Sequence, residues 1–248
     1  IMKENKYDDD VFFEKYSHML RSERGLAGAG EWPALEKLLP DFAGKRVLDL
    51  GCGYGWHCMY AVRHGASRVL GIDLSEKMLE TARRKNSDSR IEYRRAAMED
   101  LDFPAGSFDI VFSSLAFHYV KDFCGLLENI GRFLTPGGDF VFSVEHPVFT
   151  AYGSQDWYYD EKGEILHFPV DHYFEEGERQ AVFLGEPVTK YHRTLTTYLN
   201  GLLQGGFELL GVVEPEPPED MLDIAGMRDE LRRPMMLLVK PRKRFYNP

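Results

Sequence analysis

The stretch VLDLGCGYGWH, residues 47–57, constrains the fold more than any other part of the chain. An apolar run typical of a strand leads directly into three glycines, Gly51, Gly53 and Gly55, and then into a helical pattern. Because glycine lets the backbone turn tightly and approach a ligand closely, this order predicts a nucleotide-like ligand at the turn. The same local physics serves dinucleotides, phosphates and adenosyl groups, so the type of ligand depends on neighbouring residues.

Strand and helix patterns alternate from Lys45 to His146 in the order β-α-β-α-β-α-β-α-β. The predicted strands are KRVLDLG, SRVLGIDL, IEYRRAA, FDIVFSSLA and GDFVFSVEH. This alternation predicts an α/β fold with a doubly wound, mostly parallel sheet. Further along, FELLGVVEP and MMLLVKP would form an antiparallel edge, and EDMLDIAGMRDELRR between them has a helical pattern.

The residues that follow the glycines narrow the choice of ligand. Trp56 stands where the dinucleotide fingerprint GxGxxG has its third glycine, and it would crowd a pyrophosphate. A phosphate-binding P-loop is excluded because no GK[ST] follows. Asp73 ends the next predicted strand, 22 residues after Gly51, where its carboxylate can accept hydrogen bonds from both hydroxyls of a ribose. An adenosyl group without phosphates meets both conditions.

Composition limits the partners and the compartment. A formal net charge of -10 argues against a general electrostatic grip on nucleic acid or an anionic membrane. Three cysteines without a CxxC pair indicate a reducing compartment, no disulfide framework and no metal site. Apolar runs are too short to span a membrane, and IMKENKYDDD is too charged for a secretory signal. These features together predict a cytoplasmic protein.

The motifs resemble those of the class I S-adenosylmethionine-dependent methyltransferases, in particular the broad type 11 group that acts on small molecules. The resemblance spans roughly Lys45 to His146. It rests on VLDLGCGYG, VLGIDLSEKMLETA, AAMEDLDFPAGSFDIVFSSLAFHYV and LTPGGDFVFSVEHP, which occur in this order. It implies a Rossmann-like, seven-stranded sheet whose last strand is antiparallel. It also implies S-adenosylmethionine as the methyl donor and S-adenosylhomocysteine as the product.

The resemblance assigns cofactor-binding roles around the glycine-rich turn. Gly51, Cys52 and Gly53 would pass beside the methionine part of the cofactor, where a Cβ atom would clash. Asp49 would hold the ammonium group, directly or through water, with a simple turn carboxylate as the competing interpretation. Asp73 would bind the ribose.

The adenine side departs from the family at one position. An acidic residue often binds the adenine amino group where this chain has Ala97, which cannot supply that contact. The backbone of Met98 and the carboxylate of Glu99 would then replace it. Leu74 and Met78 would pack on the adenine faces, although Met78 also suits a core position at helical spacing. Backbone groups at the methionine end would come from Ser113 and Leu115.

The segment FFEKYSHMLRS is expected to fold over the cofactor as a lid, as in the family. Arg21 would bind the cofactor carboxylate, with Tyr16 and Met19 as packing partners. A surface arginine is the competing interpretation. One domain results, with an N-terminal helical lid (1–44), a cofactor-binding core (45–150), an inserted flap (151–194) and a segment that completes the sheet (195–248).

Methyl transfer from a sulfonium depends mainly on alignment and on exclusion of water. A general base is needed only when the acceptor must lose a proton. His118 in AFHYV and His146 in VEHPV are the candidates, each with structural hydrogen bonding as the alternative. Candidate substrate contacts are Tyr119, Trp157, His192 and Arg193, with ordinary lid packing as the alternative for the flap residues.

The expected function is therefore methyl transfer, by in-line displacement, to a small-molecule acceptor. SSLA replaces the [DNS]PP[YF] signature that amide and nucleobase nitrogens require, which lowers the expectation of a nucleic-acid substrate. A non-catalytic protein that senses the adenosyl cofactor is the alternative from another class, and an NAD oxidoreductase is a third. The sequence is compatible with a homodimer and identifies neither the acceptor nor the methylated atom.

Overall fold

A computed structural model describes residues 5–245 of the chain. The outermost residues of the predicted lid and of the last predicted segment, 1–4 and 246–248, lie outside this range. The strands are β1 (Arg46–Leu50), β2 (Arg68–Asp73), β3 (Ile91–Arg95), β4 (Phe108–Ser114), β5 (Leu134–Glu145), β6 (Tyr158–Tyr159), β7 (Ile165–His167), β8 (Gly177–Phe183), β9 (Glu186–His192), β10 (Phe207–Val213) and β11 (Met236–Lys243). The α-helices are α1 (Asp10–Ser17), α2 (Leu20–Arg24), α3 (Trp32–Leu38), α4 (Trp56–Arg63), α5 (Glu76–Lys85), α6 (Phe123–Phe133), α7 (Pro147–Thr150) and α8 (Leu195–Gln204).

Seven strands form one sheet in the order β10-β11-β5-β4-β1-β2-β3. Strands β1 to β5 pair in parallel, and β11 is antiparallel to both β5 and β10. The predicted doubly wound sheet and the antiparallel pairing near one edge are confirmed. Because β1 lies between β2 and β4, the turn that follows β1 sits at the centre of the sheet's carboxyl edge.

Helices cover both faces of the sheet, because side chains alternate along each buried strand. Val47 packs with residues of α4 and α5 on one face, whereas Leu48 packs with residues of α6 and α8 on the other. The Ser75 hydroxyl accepts a hydrogen bond from the Met78 amide and begins α5, as the sequence predicts. Within the described residues, no helix is both long and apolar enough to cross a membrane.

In three segments the observed helices and strands differ from the secondary structure predicted from the sequence or define it more closely. The prediction of a helix over EDMLDIAGMRDELRR is wrong, because only two short 3-10 turns form there, Glu219–Met221 and Asp229–Arg232. Gly226 between them has a φ of +83°, which interrupts a right-handed helix. In the predicted helical lid, an extended residue, Met19, separates α1 from α2. The 151–194 segment forms two antiparallel hairpins, β6–β7 and β8–β9.

Candidate functional site

A cavity of about 220 Å³ lies at the carboxyl ends of β1, β2, β4 and β5. This edge is where open α/β sheets bind their ligands. Most of the residues predicted for the site line this cavity. They are Tyr16, Met19, Arg21, Gly51, Gly53, Asp73, Leu74, Met78, Ala97, Met98, Glu99, Leu115, His118 and Tyr119.

The three glycines of the turn have different reasons to be glycine. All have positive φ angles, between +52° and +75°, which favour glycine. A Cβ atom on Gly51 would lie 2.5 Å from the Cβ of Ala116, and one on Gly55 would lie 2.1 Å from the Tyr93 hydroxyl. At Gly53, by contrast, a Cβ would meet no atom of the described residues within 4 Å. Gly53 therefore leaves open space on the cavity wall, whereas the other two are required by packing.

Asp73 presents a half-buried carboxylate to the cavity from the end of β2. One oxygen, Oδ2, accepts a hydrogen bond from the Gly53 amide at 2.8 Å, and Oδ1 accepts one from the Ser75 amide at 2.9 Å. Burial raises the pKa of Asp73 above its ordinary value, although these amides stabilise the anion. Because each carboxylate oxygen has two lone pairs, both can still accept a hydroxyl of a ribose.

Apolar residues line the cavity beyond Asp73. Leu74 follows β2, the buried Met78 lies in the first turn of α5, and Met98 begins a 3-10 turn after β3. Ala97 has no side-chain polar group, and its carbonyl accepts the Asp100 amide at 3.1 Å. An adenine ring would therefore meet two methionines and a leucine here, with Glu99 at the rim.

The N-terminal segment contributes Tyr16, Met19 and Arg21 to the cavity wall. The Arg21 guanidinium donates to the buried Glu31 carboxylate at 2.9 Å, which fixes its position and neutralises much of its charge. Trp56 lies beneath this segment, because a Cβ on Gly25 would be 3.0 Å from its indole ring. The residue that replaces the dinucleotide glycine thus supports the segment over the cavity.

Three residues predicted to bind the cofactor lie outside the cavity lining. Asp49 is buried, and its Oδ2 accepts a hydrogen bond from the Cys58 thiol at 3.2 Å. Burial raises the pKa of Asp49 to about 7. The Ser113 hydroxyl donates to the Leu50 carbonyl at 2.7 Å, and its neighbour Ser114 lines the cavity instead. Cys52 is buried between the glycines.

His118 lies at the other end of the cavity, which we call the acceptor end. Burial lowers the pKa of His118 to about 4, so the ring is neutral at physiological pH. Its Nδ1 accepts the Glu145 amide at 3.4 Å, which places the ring proton on Nε2. His118 can therefore donate a hydrogen bond to an acceptor molecule more readily than it can remove a proton.

Sequence reasoning missed several residues at the acceptor end. They are Tyr7, Glu145, Phe183, Met235 and Met236. The Tyr7 hydroxyl lies 3.3 Å from that of Tyr119. Glu145 ends β5 and so reaches the same sheet edge as Asp73, a signal that the sequence did contain. The other residues come from segments distant in sequence and carried no such signal.

Four predicted catalytic or substrate residues also lie outside the cavity lining, and each has protein partners. His146 Nδ1 accepts the Val148 amide at 3.0 Å, and its Nε2 lies 2.7 Å from Glu214. His192 bonds the Thr150 hydroxyl and the Tyr173 carbonyl. Trp157 packs on Phe168 and beneath the guanidinium groups of Arg232 and Arg233. Arg193 donates to the carbonyls of Phe117, Val120, Lys121 and Tyr191.

The cavity suits an adenosyl cofactor that carries an amino acid. Asp73 offers acceptors for a ribose diol, and the absence of a Cβ at Gly53 leaves room for a ligand against the backbone. Within residues 5–245, no three His, Cys, Asp or Glu side chains are placed to hold a metal ion. The sheet and this site together define the class I methyltransferases that depend on S-adenosylmethionine.

Comparisons with known proteins agree with this class. The sequence profile of the methyltransferase domain family matches residues 48–142. A Listeria monocytogenes protein described as an S-adenosylmethionine-dependent methyltransferase is 54% identical, with a TM-score of 0.85 over 89% of this chain and 99% of that one. A Mesorhizobium loti S-adenosylmethionine-dependent methyltransferase is 46% identical, with a TM-score of 0.81 over 88% and 100%. The chain belongs to the S-adenosylmethionine-dependent methyltransferases, and S-adenosylmethionine is its cofactor.

Similarity to proteins with named acceptors is more limited. A Haemophilus influenzae protein is 35% identical over 96% of both chains, but it is described only as uncharacterized, and no acceptor is named for it. A ubiquinone biosynthesis O-methyltransferase of Neisseria meningitidis is 32% identical over 58% of this chain and 66% of its own length. A protein arginine N-methyltransferase of Dictyostelium discoideum is 32% identical over 60% of this chain, which spans less than half, 46%, of that protein.

Proposed function

We propose that the methyl group is transferred to a small-molecule acceptor at the end of the cavity near His118 and Tyr119. This proposal rests on the side chains that surround this end of the cavity, because they come from different parts of the chain. Tyr7 comes from the N-terminal segment, Phe183 from the second flap hairpin, and Met236 from β11. Three separate segments converge there, which favours a compact acceptor over a protein chain or a folded RNA.

The cofactor half of the proposal assigns a role to each part of the wall. Asp73 would accept the ribose hydroxyls, and the Gly53 backbone would lie beside the methionine part. Leu74, Met78 and Met98 would contact the adenine. Arg21 would donate to the cofactor carboxylate while Glu31 holds its guanidinium in place. Direct roles for Asp49, Cys52 and Ser113 stay predictions, as does a backbone contact from Leu115.

S-Adenosylmethionine, when bound, supplies an activated methyl group, whose carbon accepts a lone pair from the acceptor while the bond to sulfur breaks. The chain's part is to align the acceptor and exclude water, which can lower the barrier by about 7–11 kcal/mol. His118 would orient the acceptor through its Nε2–H. The N-terminal lid and the flap would close the cavity during this step.

Labelled methyl transfer tests the proposed function. Purified protein is incubated with methyl-labelled S-adenosylmethionine and either a metabolite library, a protein extract or total RNA. We expect label in small molecules only. Label in protein or RNA would contradict the small acceptor, and tight S-adenosylhomocysteine binding with no transfer to any fraction would favour the sensor alternative. The cytoplasmic location and a homodimer stay predictions from the sequence.

A further inference from the structure

The cavity has an uneven distribution of charge along its wall. Asp73, Glu99 and Glu145 place carboxylates on the cavity wall. Of the described residues that line the cavity, Arg21 carries the one guanidinium or ammonium group. That group is 2.9 Å from the Glu31 carboxylate and belongs to the cofactor half. Around His118 the wall therefore presents one carboxylate, that of Glu145, which is paired with the Lys190 ammonium behind it, and no guanidinium or ammonium group among the described lining residues.

Glu145 is held in place by two residues of the flap. Lys190 donates to Glu145 Oε1 at 2.6 Å, and Gln155 donates to Oε2 at 2.6 Å. Lys190 also donates to the Gln155 side-chain oxygen at 2.7 Å, which closes the three groups into a ring of hydrogen bonds. The Lys190 side chain is 2% exposed and the Glu145 side chain 12% exposed, so the remaining access to Glu145 is from the cavity.

These contacts keep Glu145 ionised. Burial alone would raise the pKa of Glu145, but attraction to the Lys190 ammonium and the hydrogen bonds from Lys190 and Gln155 lower it below its ordinary value. A carboxylate has about four lone-pair sites, of which Lys190 and Gln155 occupy two. An anionic hydrogen-bond acceptor is thus held at the cavity wall at physiological pH.

The position of Glu145 separates it from the cofactor half. Asp73 ends β2 and Glu145 ends β5, and the sheet order places β1 and β4 between these strands. Three strand spacings of about 4.8 Å put the two strand ends roughly 14 Å apart. Glu145 therefore lies beyond a ribose bound at Asp73, on the side where an acceptor molecule would enter.

Aromatic rings complete the acceptor end. Tyr7 and Tyr119 line the cavity with their hydroxyls 3.3 Å apart, and Phe183 lies on the flap side. Lys190 Nζ already sits 5.4 Å from the Phe183 ring centre and 5.9 Å from that of Tyr119. The faces of aromatic rings attract cations, so these rings add to the preference that the carboxylate creates.

We infer that the acceptor is a small amine that reacts in its neutral form, with one N–H group donating to Glu145 between the rings of Tyr7 and Tyr119. Its nitrogen lone pair would take the methyl group as the carbon–sulfur bond breaks, and the product would leave as the N-methylated ammonium ion, which keeps its protons. This inference rests on the proposed small-molecule methyltransferase function. Lys190 is a positioning residue, since it acts by holding Glu145. A carboxylate or phosphate at the same place would accept no hydrogen bond from Glu145, and Lys190 is already bonded to Glu145 and Gln155, so we expect such acceptors to be disfavoured.

Turnover of size-matched acceptors tests the inference. Methyl-labelled S-adenosylmethionine is supplied with benzylamine, benzyl alcohol or benzoate, and with wider sets of small amines, alcohols and carboxylates. We expect kcat/KM for the best amine to exceed that of every alcohol and carboxylate by at least about tenfold. Higher kcat/KM for a carboxylate or an alcohol would overturn the inference.

Variants connect the preference to Glu145. Glu145→Gln should raise KM for the amine by at least about tenfold, with a smaller change in kcat. Because Gln leaves Lys190 buried without an anion, the double variant E145Q/K190M serves as a second test that keeps the site neutral. Lys190→Arg should restore part of the amine preference that Lys190→Met loses. Glu161→Gln, at an exposed flap position, should leave both constants unchanged.

The outcomes distinguish a wrong acceptor class from a wrong proposed function. An unchanged KM for the amine in Glu145→Gln and in the folded double variant would overturn the role of Glu145. Transfer to no acceptor set, together with tight S-adenosylhomocysteine binding, would overturn the amine assignment and leave the cofactor site intact. Failure to bind S-adenosylhomocysteine at all would instead contradict the proposed function.

Discussion

Replacement of Asp73 by alanine is expected to weaken S-adenosylhomocysteine binding by about ten- to 150-fold. Both oxygens of Asp73 already accept backbone amides, at 2.8 and 2.9 Å, so the carboxylate is fixed before a ligand arrives. A hydrogen bond to a charged group contributes about 1.5–3 kcal/mol, and each 1.4 kcal/mol changes affinity about tenfold. Loss of one ribose bond gives the lower limit, and loss of two bonds of about 1.5 kcal/mol each gives the upper one.

Isothermal titration calorimetry with S-adenosylhomocysteine measures this loss directly. Asp73→Ala also removes the acceptors of the Gly53 and Ser75 amides, so its free energy of unfolding must be measured by urea denaturation. Asp73→Asn keeps the shape of the side chain and one oxygen, and should lose affinity with a smaller loss of stability. Asp223→Ala, at a side chain that is 94% exposed, is the matched control. An affinity unchanged in folded Asp73→Ala would refute the ribose site.

Three further predictions concern substitutions at the glycine-rich turn, at Asp49 and at Lys190. Gly53→Ala should weaken S-adenosylhomocysteine binding more than it lowers the melting temperature. Gly51→Ala should mainly lower the melting temperature, because its Cβ would lie 2.5 Å from Ala116. Equal effects of the two variants on binding and on melting temperature would contradict this difference. Burial raises the pKa of Asp49 to about 7, so between about pH 5 and pH 7 the folded chain keeps a proton that the unfolded chain has lost. The free energy of unfolding should therefore fall by on the order of 1.4 kcal/mol per pH unit as the pH rises through this range. Urea denaturation at several pH values checks this, and a slope retained in Asp49→Asn would contradict it. Lys190→Met should lower the free energy of unfolding by about 3 kcal/mol by leaving the Glu145 carboxylate buried and unpaired, and adding Glu145→Gln should recover part of that loss.

The cofactor half of the site could be predicted because its information is local. Gly51 and Gly53 follow β1 directly, and Asp73 follows from the end of the next strand. Parallel strands bring their carboxyl ends to one edge, so strand endings alone gather these residues. The same rule reaches Glu145, which ends β5.

The predicted site residues that lie outside the cavity lining share a physical reason for doing so. A residue's place in sequence fixes its strand or loop, but the direction of its side chain depends on packing. Side chains alternate between faces along a strand, so Ser113 and Ser114 at the end of β4 separate into one that bonds the Leu50 carbonyl and one that lines the cavity. The flap residues His192 and Arg193 are likewise buried among backbone carbonyls that only the folded chain brings near.

The Lys190–Glu145 pair shows why the acceptor half is the more informative part of this molecule. The two residues are 45 positions apart, and no local pattern links a flap hairpin to the end of β5. A buried ion pair rarely adds stability over apolar residues of similar volume, because desolvation of both charges offsets their attraction. Stability alone therefore gives little reason to keep a charged pair at 2.6 Å beside a cavity. Binding of an amine substrate would give such a reason, because the Glu145 carboxylate must then stay ionised and fixed towards the acceptor.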